Sequence, residues 1–236
     1  MQTTLIVSVK CTLFLTLCSL GLRAVGQDAQ SPNRWEKDVI AFEKADRHKP
    51  PPRNGIVFVG SSSIRLWNLE DSFPNYTCIN RGFGGARTSD LVMYADRIIT
   101  KYDPSAVVVY VGGADIGARR REVRKNAKIV YHDFLNLCAR IHAKREDTPI
   151  LYISIKPSIK KWEFWPEIQK ANALIKMHAD KTPFIQYLDI VPLMLGEDGL
   201  PNADLLVEDG GHLNEKGYRA WSKMLKPSLK SVLRAQ

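Results

Sequence analysis

Cysteine and histidine are scarce in this 236-residue chain. There are four cysteines and five histidines, with no Cys-x-x-Cys pair and no histidine cluster. That pattern offers no metal site of the zinc-finger or ribbon kind. Long apolar runs are missing too. The uncharged run CTLFLTLCSLGL at 11–22 falls short of the roughly 20 residues that cross a bilayer comfortably. No internal repeat is visible, and no long apolar insertion that could fold over a site as a lid. Acids are in the minority, 25 against 34 lysines and arginines, for a net charge of +9.

What remains is an ordinary globular composition, 44% hydrophobic and 25% charged, at a length that suits one domain with a sizeable core. The apolar run at 11–22 follows Lys10 and precedes Ala24-Val25-Gly26, small residues where a signal peptidase reads. The reading is a secretory signal over 1–26 and a single domain over 27–236. The competing reading is an uncleaved membrane anchor. A lipoprotein site fits poorly, because Leu17 precedes Cys18. Cleavage removes Lys10 and Arg23 and no acid, so the mature chain stays basic. It also removes Cys11 and Cys18. Export would permit a disulfide between Cys78 and Cys138. Their placement in a strand and a helix favours two buried free thiols instead.

Along the chain, Asn33–Arg47 reads as a helix closed by Lys49-Pro50-Pro51-Pro52. Apolar strands are then expected at 56–60, 76–80, 106–112, 150–155 and 184–189. Helices are expected at 63–69, 90–100, 122–144, 165–181 and 215–233. Continuous apolar strands alternating with amphipathic helices indicate an α/β protein with a parallel sheet covered on both faces. In such sheets the site lies at the carboxyl ends of the strands.

Three strand ends carry candidate chemistry. The first is Gly60-Ser61-Ser62-Ser63, where a hydroxyl can be raised above the sheet beside free helix N–H groups. Serines there also serve as plain helix caps. The second, Asn80-Arg81-Gly82-Phe83-Gly84-Gly85, lets backbone approach a ligand closely, and alone is equally compatible with phosphate binding or a tight loop. The third is Asp209-Gly210-Gly211-His212. A carboxylate three residues before an imidazole can hold its Nδ1–H and leave Nε2 to take a proton from a serine.

Taken together these segments resemble the SGNH, or GDSL-type, hydrolase family over about residues 50 to 230. The resemblance implies a three-layer α/β/α sandwich with a five-stranded, flavodoxin-like parallel sheet. It implies Ser62 as nucleophile, Asp209 and His212 as acid and base, and the N–H groups of Ser62 and Gly85 as oxyanion donors. Gly112-Gly113-Ala114-Asp115 matches the third block, but Ala114 stands where the family has an Asn whose amide points at the oxyanion. Loss of one such donor costs about 10²–10³ in kcat. Asp115 beside it is expected to be structural, since a carboxylate aimed at an oxyanion would repel it.

The expected activity is hydrolysis of a short-chain ester, acetyl on a carbohydrate foremost, with no metal or organic cofactor. The alternative is a catalytically weak or inactive carbohydrate binder, because of Ala114. A flavodoxin-like cofactor binder would fit the fold but leave Asp209 and His212 unexplained. Trp67 and Trp162 could stack on sugar faces or simply pack the sandwich. The basic run Arg119, Arg120, Arg121, Arg124, Lys125 and Lys128 could recruit an anionic polymer or be a solvated helix start. The expected partner is a small-molecule or polysaccharide ester in the periplasm or outside the cell. Neither nucleic acid nor a stable membrane anchor after cleavage is expected.

Overall fold

Runs of β-branched and aliphatic residues set the sheet. In the computed structural model, which describes residues 34–234, α1 (Glu36–His48) leads to β1 (Ile56–Gly60) and two single-turn helices, α2 (Ser62–Arg65) and α3 (Leu69–Ser72). Then come β2 (Cys78–Gly82), α4 (Thr88–Ile98), β3 (Ala106–Tyr110), α5 (Gly113–Ile116), α6 (Ala127–His142) and β4 (Ile150–Ile153). The chain continues with α7 (Trp165–Ala179), β5 (Ile185–Leu188), α8 (Val191–Met194) and α9 (Glu215–Arg234). The expected leader at 1–26 lies outside the described residues.

All strand pairs are parallel, in the order β2-β1-β3-β4-β5. This is the flavodoxin-like order. Every residue of β1 and β3 is buried, and the period of two sends neighbours to opposite faces. Val57, Val59, Val107 and Val109 pack with Leu91, Phe134 and Ile168, from α4, α6 and α7. Ile56, Phe58, Val108 and Tyr110 pack with Ile64 of α2, Phe73 just after α3 and Trp221 of α9. Two apolar layers on one sheet give the three-layer sandwich. Cys138 belongs to the first layer, while Cys78 packs at the edge of the second. Both thiols are free, and only Cys138 is fully buried.

Two expected helices changed most, and the second strand runs Cys78–Gly82 in place of 76–80. The helix expected at 63–69 is split into α2 and α3 because Trp67 turns into the core and Asn68 starts a new turn, its Oδ1 accepting from Asp71 N at 3.2 Å. The helix expected from 122 begins at Ala127. Asn126 is its cap, accepting from Ile129 N at 3.0 Å. The basic run therefore precedes the helix except for Lys128, which lies in its first turn against the dipole.

The order in which strands are added reverses between β1 and β3, where Gly60 pairs with Tyr110. That junction allows no side chain on residue 60. Its φ is +153°, and a Cβ would sit 2.0 Å from the Tyr110 carbonyl oxygen. The same carbonyl accepts from Ser61 N at 3.0 Å. Gly60→Ala is thus expected to force the two central strands apart. The expected cost is at least about 3 kcal/mol, or a melting-temperature loss near 10 °C at roughly 2–4 °C per kcal/mol. A loss under about 2 °C in a calorimetric scan would mean that the junction yields freely.

Candidate active site

Ser62 is the first residue of α2, directly above the end of β1. Ser61 is the cap residue and makes no side-chain capping bond. The one-turn helix is fixed from outside instead. Asn80, in β2, donates from Nδ2 to the carbonyl oxygens of Ile64 (2.7 Å) and Trp67 (3.3 Å). Tyr218, in α9, donates from its hydroxyl to Ser63 O at 3.0 Å. These clamps hold a hydroxyl that a four-residue helix could not hold alone.

The loop before α9 brings up the other two groups. Ser62 Oγ lies 3.0 Å from His212 Nε2, and His212 Nδ1 lies 2.6 Å from Asp209 Oδ2. Asp209 Oδ1 accepts from the backbone of Gly211 (2.8 Å) and His212 (2.9 Å), and Lys160 Nζ reaches Oδ2 at 3.1 Å. Burial pushes this carboxyl upward. The two backbone N–H groups, the lysine and the imidazole outweigh it and hold it well below the usual carboxylate range. Asp209 is therefore ionised at neutral pH, which fixes a proton on Nδ1 and leaves Nε2 as an acceptor towards Ser62.

Gly85 sits at φ +74° in the loop after β2. Trp35 backs the loop, its ring within 3.9 Å of where a Gly85 Cβ would be, and its Nε1 is anchored on Asp90 at 2.9 Å. The N–H groups of Ser62 and Gly85 donate to nothing among the described residues. Ala114 is half-buried on α5, at the end of β3. Asp115 is 0% exposed. It accepts from Thr88 N at 3.1 Å and pairs with Lys125 at 3.4 Å, tying the turn after β3 to the start of α4. Burial nevertheless pushes its pKa up to about 6 against the pull of Lys125 and Thr88.

Three lysines that sequence reasoning missed crowd this site, all from the segment after β4. Lys160 holds Asp209. Lys156 is only 8% exposed, with its ammonium 3.2 Å from Tyr110 Oη and 3.4 Å from Ser63 Oγ. Burial pulls its pKa down to about 8 while Asp209 pulls it up. Lys161 is half-buried and donates to the Gly113 carbonyl oxygen. No local motif marked them. The backbone bond from Lys160 N to Gly210 O, 3.1 Å long, and the Lys160–Asp209 pair bring their turn against the catalytic-type loop.

Two candidate contacts need correction. Trp67 is 3% exposed, inside the layer with Phe58, Phe73 and Trp221, and its Nε1 donates to Ser72 Oγ at 3.0 Å. It packs the core and offers no ring to a sugar. Of the basic run, Lys125 is spent on Asp115 and Asp133, and Arg124 donates to Ala118 O and covers the Phe164 ring. Arg119 and Arg120, with Arg121, are exposed and make no ion pair among the described residues. Trp162 is half-buried, one face stacked on Trp165 at a centroid distance of 5.8 Å.

Comparison with known proteins matches the chain to a described family. The family model named GDSL-like lipase/acylhydrolase matches residues 65–220. The match takes in Gly85, Ala114, Asp209 and His212 and begins three residues after Ser62. Among solved structures, the chain is similar to a GDSL-like lipase from Bacteroides thetaiotaomicron, with 18% identity over 82% of this chain and 98% of that one and a TM-score of 0.70. A carbohydrate esterase family 3 protein from Talaromyces cellulolyticus follows at 17% identity, covering 77% and 98%, with a TM-score of 0.59. An acetyl esterase mutant with acetate ion gives 16% identity, 76% and 98%, and 0.58. At these identities the likeness establishes the fold alone. Comparison with curated proteins finds no match.

Proposed function

The chain belongs to the GDSL-like lipase/acylhydrolase family, and from that premise we propose that it is an exported serine esterase. It removes a short acyl group, acetyl foremost, from a carbohydrate ester. The observation that carries this reading is the hydrogen-bonded line from Ser62 Oγ through His212 to Asp209, 3.0 Å and 2.6 Å long. His212 Nε2 takes the proton as Ser62 Oγ attacks the ester carbonyl. The N–H groups of Ser62 and Gly85 receive the anionic oxygen, and Asp209 stabilises the imidazolium. His212 then protonates the departing alcohol. In the second half it takes a proton from water, which attacks the acyl carbon and frees Ser62. A short acyl group is supported by the lack of any apolar insertion that could cover a long chain. Carbohydrate is supported by the carbohydrate esterase family 3 protein among similar structures, and acetyl by the acetyl esterase. A panel of acetyl, butyryl and long-chain esters, on simple and sugar alcohols, tests the reading. Turnover of acetyl esters is expected to be fastest, and turnover of long-chain esters alone would overturn it.

The exposed Arg119, Arg120 and Arg121 favour an ester on an anionic glycan. KM for such esters is then expected to rise as salt goes from about 0.05 to 0.5 M, while KM for neutral esters stays flat. A KM that ignores salt for both would remove the arginines from substrate recruitment. The second reading, a carbohydrate binder without turnover, rests on Ala114. Ala114→Asn separates the two: a gain from an inactive start would blame the missing amide, and no gain would point elsewhere.

A further inference from the structure

Resting on the esterase reading, we infer that the Lys161 ammonium supplies the third oxyanion donor that Ala114 cannot. Its placement is the first support. Lys161 Nζ donates to the carbonyl oxygen of Gly113, the residue before Ala114. Its stem lies against the other end of the same turn: a Cβ on Gly117 would come within 2.8 Å of Lys161 Cδ. Glycine at 117 admits the lysine alongside α5. Meanwhile Lys160, its neighbour, is bonded to Gly210 and Asp209. The Lys160-Lys161 pair thus bridges the loop that carries the base and the turn that lost its amide.

Valence is the second support. An ammonium carries three N–H donors. Gly113 O takes one, and no other group among the described residues bonds to the Lys161 ammonium. Asp115, the acid that bears on it, is already engaged by Thr88 and Lys125. Lys161 is therefore a half-buried cation without an ion pair, with two donors left for a ligand. Lys156 does not compete for the role, because Ser63 and Tyr110 hold its ammonium. An N–H bond to an oxyanion is charge-assisted whether the donor is an amide or an ammonium, and the ammonium adds its own positive charge, so one ammonium can replace an amide.

The replacement carries a signature that an amide would not. Burial, then the nearby charges of Lys156 and Lys160, pull the Lys161 pKa down to about 8 against the opposing pull of Asp115. Asp209 and Lys125 are the next charges out, bonded to Lys160 and Asp115. The ammonium is present below that value and lost above it, so activity should fall on the alkaline side as Lys161 deprotonates.

The test compares p-nitrophenyl acetate hydrolysis by the full chain, Lys161→Met, Lys161→Arg, and Ala114→Asn combined with Lys161→Met. Lys161→Met is expected to lower kcat by about 10²–10³ with KM little changed. Lys161→Arg should hold kcat within roughly 10-fold and lose the alkaline fall, because a guanidinium does not titrate there. The combined variant should regain most of the lost kcat, also without the alkaline fall. Lys161→Met keeping kcat within about 3-fold of the unaltered chain would overturn the inference. If Lys161→Met does not fold, persistence of the alkaline fall in Lys161→Arg would overturn it instead. Should the unaltered chain turn over no ester and leave Ser62 unlabelled by a fluorophosphonate, the esterase reading itself fails. That result is seen before any Lys161 variant is compared.

Discussion

Ser62→Ala is expected to lower kcat on acetyl esters by roughly 10⁶-fold, the scale felt when other Ser–His–Asp sites lose their nucleophile. The reason is chemical, since alanine has no oxygen to form the acyl-enzyme. The fold should scarcely notice. The lost hydroxyl makes one bond, 3.0 Å to His212 Nε2, in a half-buried place. Such a bond contributes about 1 kcal/mol, so the melting temperature should move by no more than about 4 °C. Steady-state kinetics beside a thermal melt checks both. Residual activity within about 10-fold of the unaltered chain would mean that another group attacks the ester.

Asp209→Asn is expected to lower kcat by about 10⁴-fold. Asparagine can still accept from Gly211 N and His212 N through its oxygen, so the loop should keep its shape. Its amide nitrogen, however, then faces His212 Nδ1. A donor there demands an acceptor, which moves the imidazole proton to Nε2 and points it at Ser62. The base is lost although every atom is close to its former place. Lys160 also loses its carboxylate partner at 3.1 Å. Asp209→Ala should do no less damage to kcat and should loosen the loop as well. A kcat for Asp209→Asn within about 5-fold of the unaltered chain would contradict the tautomer argument.

Much of this architecture was legible because it depends on local pattern. β1 occupies Ile56–Gly60, as the run IVFVG predicts, and α7 starts at Trp165 as its periodicity predicts. Ser62, Asp209 and His212 were legible because each lies at a strand end or loop with unusual composition. Where long-range packing decided the outcome, sequence patterns failed. In the sequence Trp67 could stack on a sugar or pack the sandwich, and the turn after α2 decides this by pointing it inward onto Phe58 and Trp221. The run after β3 reads as one basic patch. Asp133, six residues into α6, folds back to claim Lys125. Lys156, Lys160 and Lys161 carry no local motif, and the packing of their turn against the Asp209 loop is what places them at the site. Ala114 illustrates both sides. Its departure from the family pattern is plain in the sequence, but the lysine beside it is visible only in three dimensions.

Whether Ser62 is an activated nucleophile can be measured without knowing the natural ester. Residues 34–234 carry the whole hydrogen-bonded line from Ser62 to Asp209. The full chain treated with a fluorophosphonate and digested should show one modified peptide, adducted at Ser62. The Ser62→Ala chain should show none, and labelling should fall sharply in Asp209→Asn. No adduct on the folded, unaltered chain, or an adduct that survives Ser62→Ala, would contradict the assignment of Ser62, His212 and Asp209 as an acyl-transfer site.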